Sequence, residues 1–301
     1  MEVAITDNHW RTEIQRLEGA YAPATIKAYY TDIEAFVDWC GKEGLCPFPA
    51  TKDMVCAFIS DQGHSMATST VRRRLYAIQK IHRLLRLSDP TQDEDINLAF
   101  RRVRRSKLSR PKQARGITAR DLSKFMDTEP DTPIGLRNRA MLALGYELLT
   151  RRSELIALKS DDLTWLDDGS VKVIIRRSKS DPFGMGRIGY TSRETASLVQ
   201  NWLDWRGSKI DWLFCPIYQN QPINRDLSTT TVKRIIKTAA KRTGYTCDIV
   251  RDFSGHSLRV GAAQELLSRG FDTVSIMRAG GWKSVGVLAR YLENASHNVW
   301  N

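Results

Sequence analysis

The sequence predicts a mainly α-helical fold with two domains: a helical N-terminal domain, and a mainly helical C-terminal domain that carries a small antiparallel β-sheet. Three observations support this fold class. Apolar residues recur at helical spacing through most of the chain. Residues 106–116 contain several cations, a proline and a glycine but few apolar side chains, which is typical of a linker. Residues 161–191 contain β-branched runs divided by turn-forming sequences, which predicts short strands.

The first domain, residues 1–105, is predicted to be all-helical. One apolar-periodic run starts at Thr25, which we predict to be the N-cap of a helix. Thr51 is predicted to cap a shorter helix. The longest helix is predicted at 68–87, and a last helix at 96–105.

The second domain, residues 117–301, is predicted to begin with a helix that starts at Thr118 and Asp121. Arg151 is predicted to stand at the start of another helix. An Asp-Asp-Gly turn joins the first two strands, and Lys179 is predicted at the tip of the next hairpin. The other helices predicted upstream of residue 256 lie at 136–149, 192–206 and 228–243.

Four side chains suited to phosphate chemistry lie near the C-terminal end. His256 and Arg259 are three positions apart, so both would lie on one face of a helix. Two glycines break the chain before Trp282, and Tyr291 follows on a second apolar-periodic run. Two helices joined by a short linker are therefore predicted to bring these groups together. The set suits attack by a tyrosine on a phosphate, with cations and hydrogen-bond donors around the charged oxygens.

The formal net charge of +12 and the pI of about 9.6 indicate a polyanionic partner, most often nucleic acid, although a merely soluble basic protein is the alternative. No run of 18 apolar residues is present, so no membrane span is expected. The first residues do not resemble a signal peptide. The five cysteines contain no Cys-x-x-Cys pair, which predicts reduced thiols and no zinc site.

Cations recur on the predicted helices with few acidic residues between them. Three arginines in the predicted first turn of the 68–87 helix oppose the helix dipole, and a bound phosphate would offset that cost. The alternative is a charged helix face that contacts only solvent. Because the runs of cations recur along the chain, contact with DNA is the favoured interpretation. The cations predicted to contact DNA are Lys27, Arg72, Arg73, Arg74, Lys80, Arg101 and Arg102 in the first domain, and Lys233 and Arg234 in the second.

The motifs together resemble the tyrosine recombinase (phage integrase) family, and within it the Cre-like site-specific recombinases. The resemblance covers most of the chain. It is strongest in the His-x-x-Arg pair, the Gly-Gly-Trp that ends at residue 282, and the tyrosine nine positions later. A lone His-x-x-Arg pair often occurs by chance, but this combination with an upstream Arg-x-x-Glu is highly specific. It implies the tyrosine recombinase fold, with a core-binding first domain and a catalytic second domain.

The resemblance implies a role for each residue that matches a family motif. Tyr291 is the nucleophile, and Arg151 and Arg259 hold the phosphate oxygens. Glu154 orients neighbouring cations or the histidine. Lys179 matches the hairpin lysine that protonates the departing 5′-hydroxyl, although two other lysines lie close by in the sequence. The two remaining catalytic positions are His256 and Trp282.

The residue types fit that chemistry. A phenol with a pKa near ~10 is a poor nucleophile at neutral pH. Two guanidinium groups favour the phenolate and stabilise the charge that builds on the phosphate in the transition state. His256 either accepts the phenol proton or donates to an oxygen, and both roles stay open. Trp282 donates one hydrogen bond. Since the phosphotyrosine keeps the bond energy for religation, no metal and no other cofactor is required.

The resemblance further implies a site-specific recombinase that acts on double-stranded DNA through a 3′-phosphotyrosine intermediate. A homodimer would bind each inverted-repeat site, and two sites would assemble as a homotetramer that exchanges strands through a Holliday junction. A bacterial cytoplasmic location at the nucleoid is expected. The alternatives are a monomeric topoisomerase of type IB and a DNA-binding regulator without activity; the intact set of catalytic residue types argues against the regulator.

Overall fold

A computed structural model of the chain describes residues 9–107, 113–176 and 186–295. The chain divides into two compact units, Met1–Pro111 and Lys112–Asn301. The boundary between them falls inside the basic segment 106–116. No helix among the described residues is long and apolar enough to cross a membrane.

The first unit is a helical bundle around one apolar core. The core is built from helical positions such as Phe36, Phe58 and Ile78, which are almost completely buried and come from three different helices. Ring contacts reinforce it, since Phe36 meets Phe58 edge-on with a centroid separation of 5.1 Å. The helices are α1 (His9–Gln15), α2 (Pro23–Lys42), α3 (Lys52–Ser65), α4 (Thr68–Leu84) and α5 (Glu94–Ser106), with a 3₁₀ turn at Pro90–Gln92.

Two local predictions for this unit are wrong. Thr25 is not an N-cap, because α2 already begins at Pro23, whose missing N–H costs nothing at the first helical position. Helix α4 begins at Thr68, so the arginines at 72–74 lie in its second turn, where the helix dipole opposes them less. The predicted cap at Thr51 is confirmed, since its hydroxyl accepts a hydrogen bond from the backbone N–H of Met54 at 3.3 Å.

A buried histidine makes the first unit sensitive to acid. The Nε2 atom of His82 accepts a hydrogen bond from the backbone N–H of Ala50 at 3.0 Å, and Nδ1 donates to the carbonyl of Ile78 at 2.8 Å. Both ring nitrogens are therefore used by the neutral imidazole. Burial lowers the pKa of His82 below its ordinary value of 6.5. Protonation would put a proton on Nε2, which could then no longer accept the hydrogen bond from the N–H of Ala50.

We expect the free energy of unfolding of this unit to fall as the pH drops below 6.5, the value for His82 in the unfolded chain. Below that pH the unfolded chain binds a proton that the folded unit excludes, so stability is lost at up to about 1.4 kcal/mol per pH unit. Hydrogen exchange of first-unit amides in the full chain, corrected for intrinsic rates, measures this. In His82→Gln, which keeps one donor and one acceptor but cannot titrate, the same pH range should show a smaller loss.

The second unit is mainly helical and carries a three-stranded antiparallel sheet in the order β1-β2-β3. Strand β2 is central and pairs Val173 with Leu163 on one side and with Gly189 on the other. The sheet strands are β1 (Leu163–Trp165), β2 (Val171–Ile175) and β3 (Arg187–Tyr190), and a separate hairpin is formed by β4 (Ile217–Tyr218) and β5 (Gln221–Pro222). The helices are α6 (Ala119–Asp127), α7 (Pro133–Glu147), α8 (Arg152–Ile156), α9 (Arg193–Arg206), α10 (Thr229–Arg242), α11 (Cys247–Asp252), α12 (Ser257–Ser268), α13 (Thr273–Gly280) and α14 (Val285–Leu292), with a 3₁₀ turn at Ser160–Asp162.

The predicted mainly α fold class with a small antiparallel sheet is confirmed. The start of α6 also agrees with the sequence, because Thr118 and Asp121 form a reciprocal capping box. One expectation is wrong: three helices, not two, span the region from 256 to 292. Helix α13 lies between the helix that follows His256 and the helix that carries Tyr291.

Helix α12 is the central element of this unit, and a glycine lets the chain pass closely beside it. The backbone N–H of Ile117 donates to the carbonyl of Ser257 at 3.0 Å. A Cβ atom on Gly261 would lie only 1.8 Å from the carbonyl oxygen of Ile117. Gly261 is therefore required where residues 113–118 run against α12.

Candidate active site

The turn between α7 and α8 presents the first pair of predicted site residues. Arg151 is the N-cap of α8, and its guanidinium donates to Glu154 at 2.5 Å. The second carboxylate oxygen of Glu154 accepts from the backbone N–H of Arg151 at 3.0 Å. Glu154 is almost completely buried, whereas Arg151 keeps part of its side chain in solvent. The carboxylate thus fixes the orientation of Arg151 and balances its charge.

Arg259 lies at the centre of the site on α12 and is completely buried. Its Nη1 donates to the carbonyl of Leu149, a residue held in the left-handed region with φ 47°. Its Nε and Nη2 have no hydrogen-bond partner within the described parts of the chain. Burial, and next the charge of Arg151, lower the pKa of Arg259 to about 10, so that it is still a cation at neutral pH.

Trp282 and Tyr291 close the site on the side of Arg259. The guanidinium carbon of Arg259 lies 3.8 Å from the centroid of the Trp282 ring and 5.6 Å from that of Tyr291. The two rings meet edge-on with a centroid separation of 5.1 Å. The indole N–H of Trp282 is buried and also has no acceptor among the residues that the structure describes. Such contacts hold the phenol next to a desolvated cation.

Two glycines before the tryptophan make this packing possible. Gly281 ends α13 in the left-handed conformation, with φ 66° and ψ 39°. A Cβ on Gly280 would lie 1.8 Å from the ring of Trp282. The Gly-Gly-Trp sequence therefore turns the chain and seats the indole directly on the end of the helix.

Arg187, the first residue of β3, belongs to the site, although it was not among the residues predicted from the sequence. Its guanidinium donates to the carbonyls of Leu148 and Ala279, each at 2.7 Å, and to Glu154 at 3.5 Å. Burial lowers the pKa of Arg187. Arg187 thus connects the sheet, the turn before Arg151 and the end of α13. Its contacts are 33 to 92 positions away, so no local pattern indicates it.

Of the two other predicted site residues, one is exposed and one lies outside the described residues. His256 is the N-cap of α12, one residue before the helix begins, and its side chain is exposed. Its backbone N–H donates to the hydroxyl of Ser254 at 3.1 Å. Lys179 lies in the sequence between β2 and β3, outside the described residues. The structure therefore brings together Arg151, Glu154, Arg259, Trp282 and Tyr291.

The cations predicted to contact DNA differ in how far they are engaged within their own unit. Arg73 makes a two-pronged ion pair with the buried Asp32, at 2.6 and 2.9 Å. Arg74 is half-buried and 3.8 Å from the same carboxylate. Lys80 donates to the hydroxyl of Tyr21 at 2.8 Å. The remaining cations of this set are exposed: Lys27, Arg72, Arg101, Arg102, Lys233 and Arg234.

Replacing Arg187 with Met is expected to lower the free energy of unfolding by about 3–5 kcal/mol, because buried carbonyls and the buried Glu154 lose a charged donor. Equilibrium urea unfolding of the full chain measures this. Arg251→Met is the matched control, since Arg251 is 78% exposed and, among the described residues, its side chain pairs with the exposed Asp248 alone. The control should change stability by less than about 0.5 kcal/mol. An equal effect of both substitutions would contradict the central role of Arg187.

The comparisons with known proteins agree with this fold. Residues 115–297 match the model of the phage integrase family. An integrase/recombinase XerD homolog from Selenomonas ruminantium is 30% identical over 293 residues, which covers 94% of this chain and 85% of the relative. The recombinase Cre of Escherichia phage P1 is 26% identical over 292 residues, covering 91% of this chain and 85% of that protein.

Two solved structures with the same fold are recombinases bound to DNA. XerH site-specific recombinase bound to its palindromic difH substrate, in a post-cleavage complex, superposes with a TM-score of 0.69 at 18% identity, covering 96% of this chain and 81% of that one. A lambda integrase dimer bound to a core site gives a TM-score of 0.62 at 17% identity, covering 97% and 79%.

Together these findings define an enzyme that cleaves and rejoins DNA strands. The chain belongs to the phage integrase family and is a tyrosine-type site-specific recombinase. The family resemblance predicted from the sequence is confirmed.

Proposed function

We propose that Tyr291 is the nucleophile of this recombinase and that it acts within its own chain. Its hydroxyl oxygen attacks the scissile phosphorus, the bond from phosphorus to the 5′ oxygen breaks, and a 3′-phosphotyrosine forms. The phenol loses its proton to a base, and the departing 5′ oxygen gains one from an acid. Attack by the 5′-hydroxyl of a second strand reverses these bonds and releases the tyrosine.

The observation that supports this proposal is the group of buried donors beside the phenol. Nε and Nη2 of Arg259 and the indole N–H of Trp282 have no partner in the described regions of the chain. Buried donors without a partner each cost about 1–3 kcal/mol, so an anion that accepts from them is bound favourably. A phosphate undergoing attack supplies such oxygens, and its added negative charge strengthens the same contacts in the transition state.

The remaining roles follow from position and residue type. Arg151, held by Glu154, places a second forked donor on the phosphate. His256, exposed at the start of α12, exchanges a proton with the phenol or donates to a phosphate oxygen. Lys179 is the acid that protonates the 5′ oxygen. The chemistry uses these side chains alone and needs no metal ion.

We further propose that the first unit is the core-binding domain and grips the duplex together with the catalytic second unit. The exposed cations Lys27, Arg72, Arg101 and Arg102 contact its phosphates, and Lys233 and Arg234 do so from α10. Two protomers bind an inverted repeat, two sites assemble as a tetramer, and strands exchange in pairs through a Holliday junction. The palindromic substrate of XerH and the DNA-bound dimer of lambda integrase support a symmetric arrangement.

Covalent capture tests this function and identifies the target site in the same experiment. The wild-type protein is incubated with fragmented host DNA, denatured with detergent, and the protein-bound fragments are recovered. After nuclease and protease digestion, mass spectrometry should find a nucleotide phosphate on the peptide that contains Tyr291, and sequencing should find one common site. A phosphate on another residue would refute the nucleophile assignment.

A plasmid assay then tests strand exchange between sites. Supercoiled plasmids carrying two copies, one copy or no copy of the recovered site are incubated with the enzyme. Rearranged products should appear only with two copies. Relaxation of all three plasmids at the same rate, without rearrangement, would instead indicate a topoisomerase.

A further inference from the structure

The C-terminal end of the nucleophile helix is held by side-chain amides, one of which comes from the start of the second unit. Helix α14 has eight residues, which is too short to be stable by itself in water. The last four carbonyls of any α-helix have no partner within the helix. Tyr291 is the penultimate residue of α14, so its own carbonyl is one of these four.

Gln113 supplies donors to this end of the helix. Its Nε2 donates to the carbonyl of Arg290 at 2.6 Å and to that of Tyr291 at 3.1 Å. Its Oε1 accepts from the side-chain amide of Asn294 at 2.8 Å. One glutamine side chain, about 180 positions earlier in the sequence, thus contacts two residues at the end of α14 and one residue just after it.

A second amide approaches the same carbonyl from α12. The Nε2 of Gln264 donates to the carbonyl of Tyr291 at 3.0 Å. Residues next to Gln113 are themselves fixed, since the backbone N–H of Arg115 donates to the carbonyl of Asp252 at 3.0 Å. The carbonyl of the nucleophile residue is therefore held from two sides by anchored groups.

These contacts bear directly on the phenol. The completely buried Leu288 also anchors α14, and Val287, Tyr291 and Leu292 pack partly against the same core. Apolar contacts are not directional, whereas hydrogen bonds prefer a narrow range of distances and angles. The bonds from Gln113 and Gln264 to the carbonyls of residues 290 and 291 therefore add an orientation that packing alone does not set. Misplacing a reacting group by about 1 Å can cost about 10²-fold in rate.

We propose that Gln113 is a positioning residue for catalysis: its amide caps the C-terminal end of α14 and so aims the phenol of Tyr291 at the phosphate. The proposal rests on the proposed role of Tyr291 as nucleophile. Gln113 and Tyr291 both belong to the second unit, so the proposed positioning contact lies within that unit.

Three substitutions test whether the hydrogen-bond donor of Gln113, and not the volume of its side chain, is what matters. Gln113→Met keeps the length and volume but removes the donor. Gln113→Lys restores donors to the carbonyls, and a cation suits the negative end of a helix. Gln200→Met is the matched control, because Gln200 is exposed on α9 and its side chain donates to the exposed side of the same helix, at Asp204, at 2.6 Å. All are made in the full chain and assayed on the duplex recovered by covalent capture.

Single-turnover cleavage at saturating DNA should fall about 10–100-fold in Gln113→Met, with the Kd for DNA changed by less than about threefold. Gln113→Lys should recover a rate within about threefold of wild type, and Gln200→Met should match wild type. This split between rate and affinity, with rescue by a new donor, is not expected of a residue that only supports the fold. A wild-type rate in Gln113→Met, or equal losses in the Met and Lys variants, would overturn the proposal.

Tyr291→Phe, run in parallel, keeps the two proposals distinguishable. Adduct formation by that variant would overturn the assignment of the nucleophile, and the positioning role with it. If the variant forms no adduct while Gln113→Met cleaves like wild type, the nucleophile stands and only the role of Gln113 is refuted.

Discussion

Replacing Tyr291 with Phe is expected to abolish covalent attachment to DNA while leaving DNA binding and folding unchanged. The ring of Tyr291 contacts Trp282 and the guanidinium of Arg259, and its backbone carbonyl accepts from two glutamine amides. Phe keeps all of these contacts, so stability should change by less than about 0.5 kcal/mol. Only the attacking oxygen is lost, and without it no bond to phosphorus forms. Detergent-stable adducts and duplex affinity are measured on the same DNA.

The arrangement within one chain can be tested with mixed proteins. Tyr291→Phe lacks the nucleophile and Arg259→Met lacks the central cation, so neither should form adducts alone. Because the two groups are 5.6 Å apart in the same chain, a mixture of the variants should also form none. Recovery of adducts in the mixture would show that the tyrosine acts on a neighbouring protomer, and would contradict the proposed geometry.

Local sequence signals predicted the parts of this site that depend on nearby residues. Arg151 was predicted at a helix start, with Glu154 three positions on as the family resemblance implies, and the structure has Arg151 as the N-cap of α8 beside Glu154. The Gly-Gly-Trp break is likewise local, since a left-handed glycine ends α13 directly before the indole. Helix α13 was overlooked, since the region was interpreted as two helices joined by a short linker. Asp272, whose side chain accepts from the N–H groups of Val274 and Ser275, was the available signal.

Residues whose contacts are distant in sequence could not be found this way. Arg187 lies in a strand whose residues alternate between half-buried and exposed, so the pattern does not mark it as buried against Glu154. Gln113 stands in a segment with the composition of a linker, yet its partners are about 180 positions away. Such contacts depend on the packing of α12 against the segment before α6, which no local period encodes.

Replacing Arg259 with Met is expected to eliminate cleavage without weakening the fold. The substitution removes two buried donors that have no partner in the described chain, and a cation whose pKa burial has lowered to about 10. The carbonyl of Leu149, which accepts from Arg259, would still accept a hydrogen bond from Arg187 at 3.4 Å. The methionine side chain is similar in length and keeps a favourable contact with the Trp282 ring. Replacing buried charged groups by apolar ones is often neutral or stabilising, so we expect the free energy of unfolding to stay constant or rise by up to about 3 kcal/mol.

Cleavage should respond in the opposite direction. Without the forked donors, the charge that builds on the phosphate loses its central cation, and the rate should fall at least about 10³-fold. Arg259→Lys keeps a positive charge but replaces the forked guanidinium donors with a compact ammonium group. Its cleavage rate should therefore lie between those of wild type and the Met variant. Urea unfolding and single-turnover cleavage, measured on the same three proteins, give both quantities. Donors that are kept for the phosphate lower the stability of the free enzyme but stabilise the transition state. A loss of stability greater than about 2 kcal/mol in the Met variant would therefore mean that Arg259 supports the fold instead.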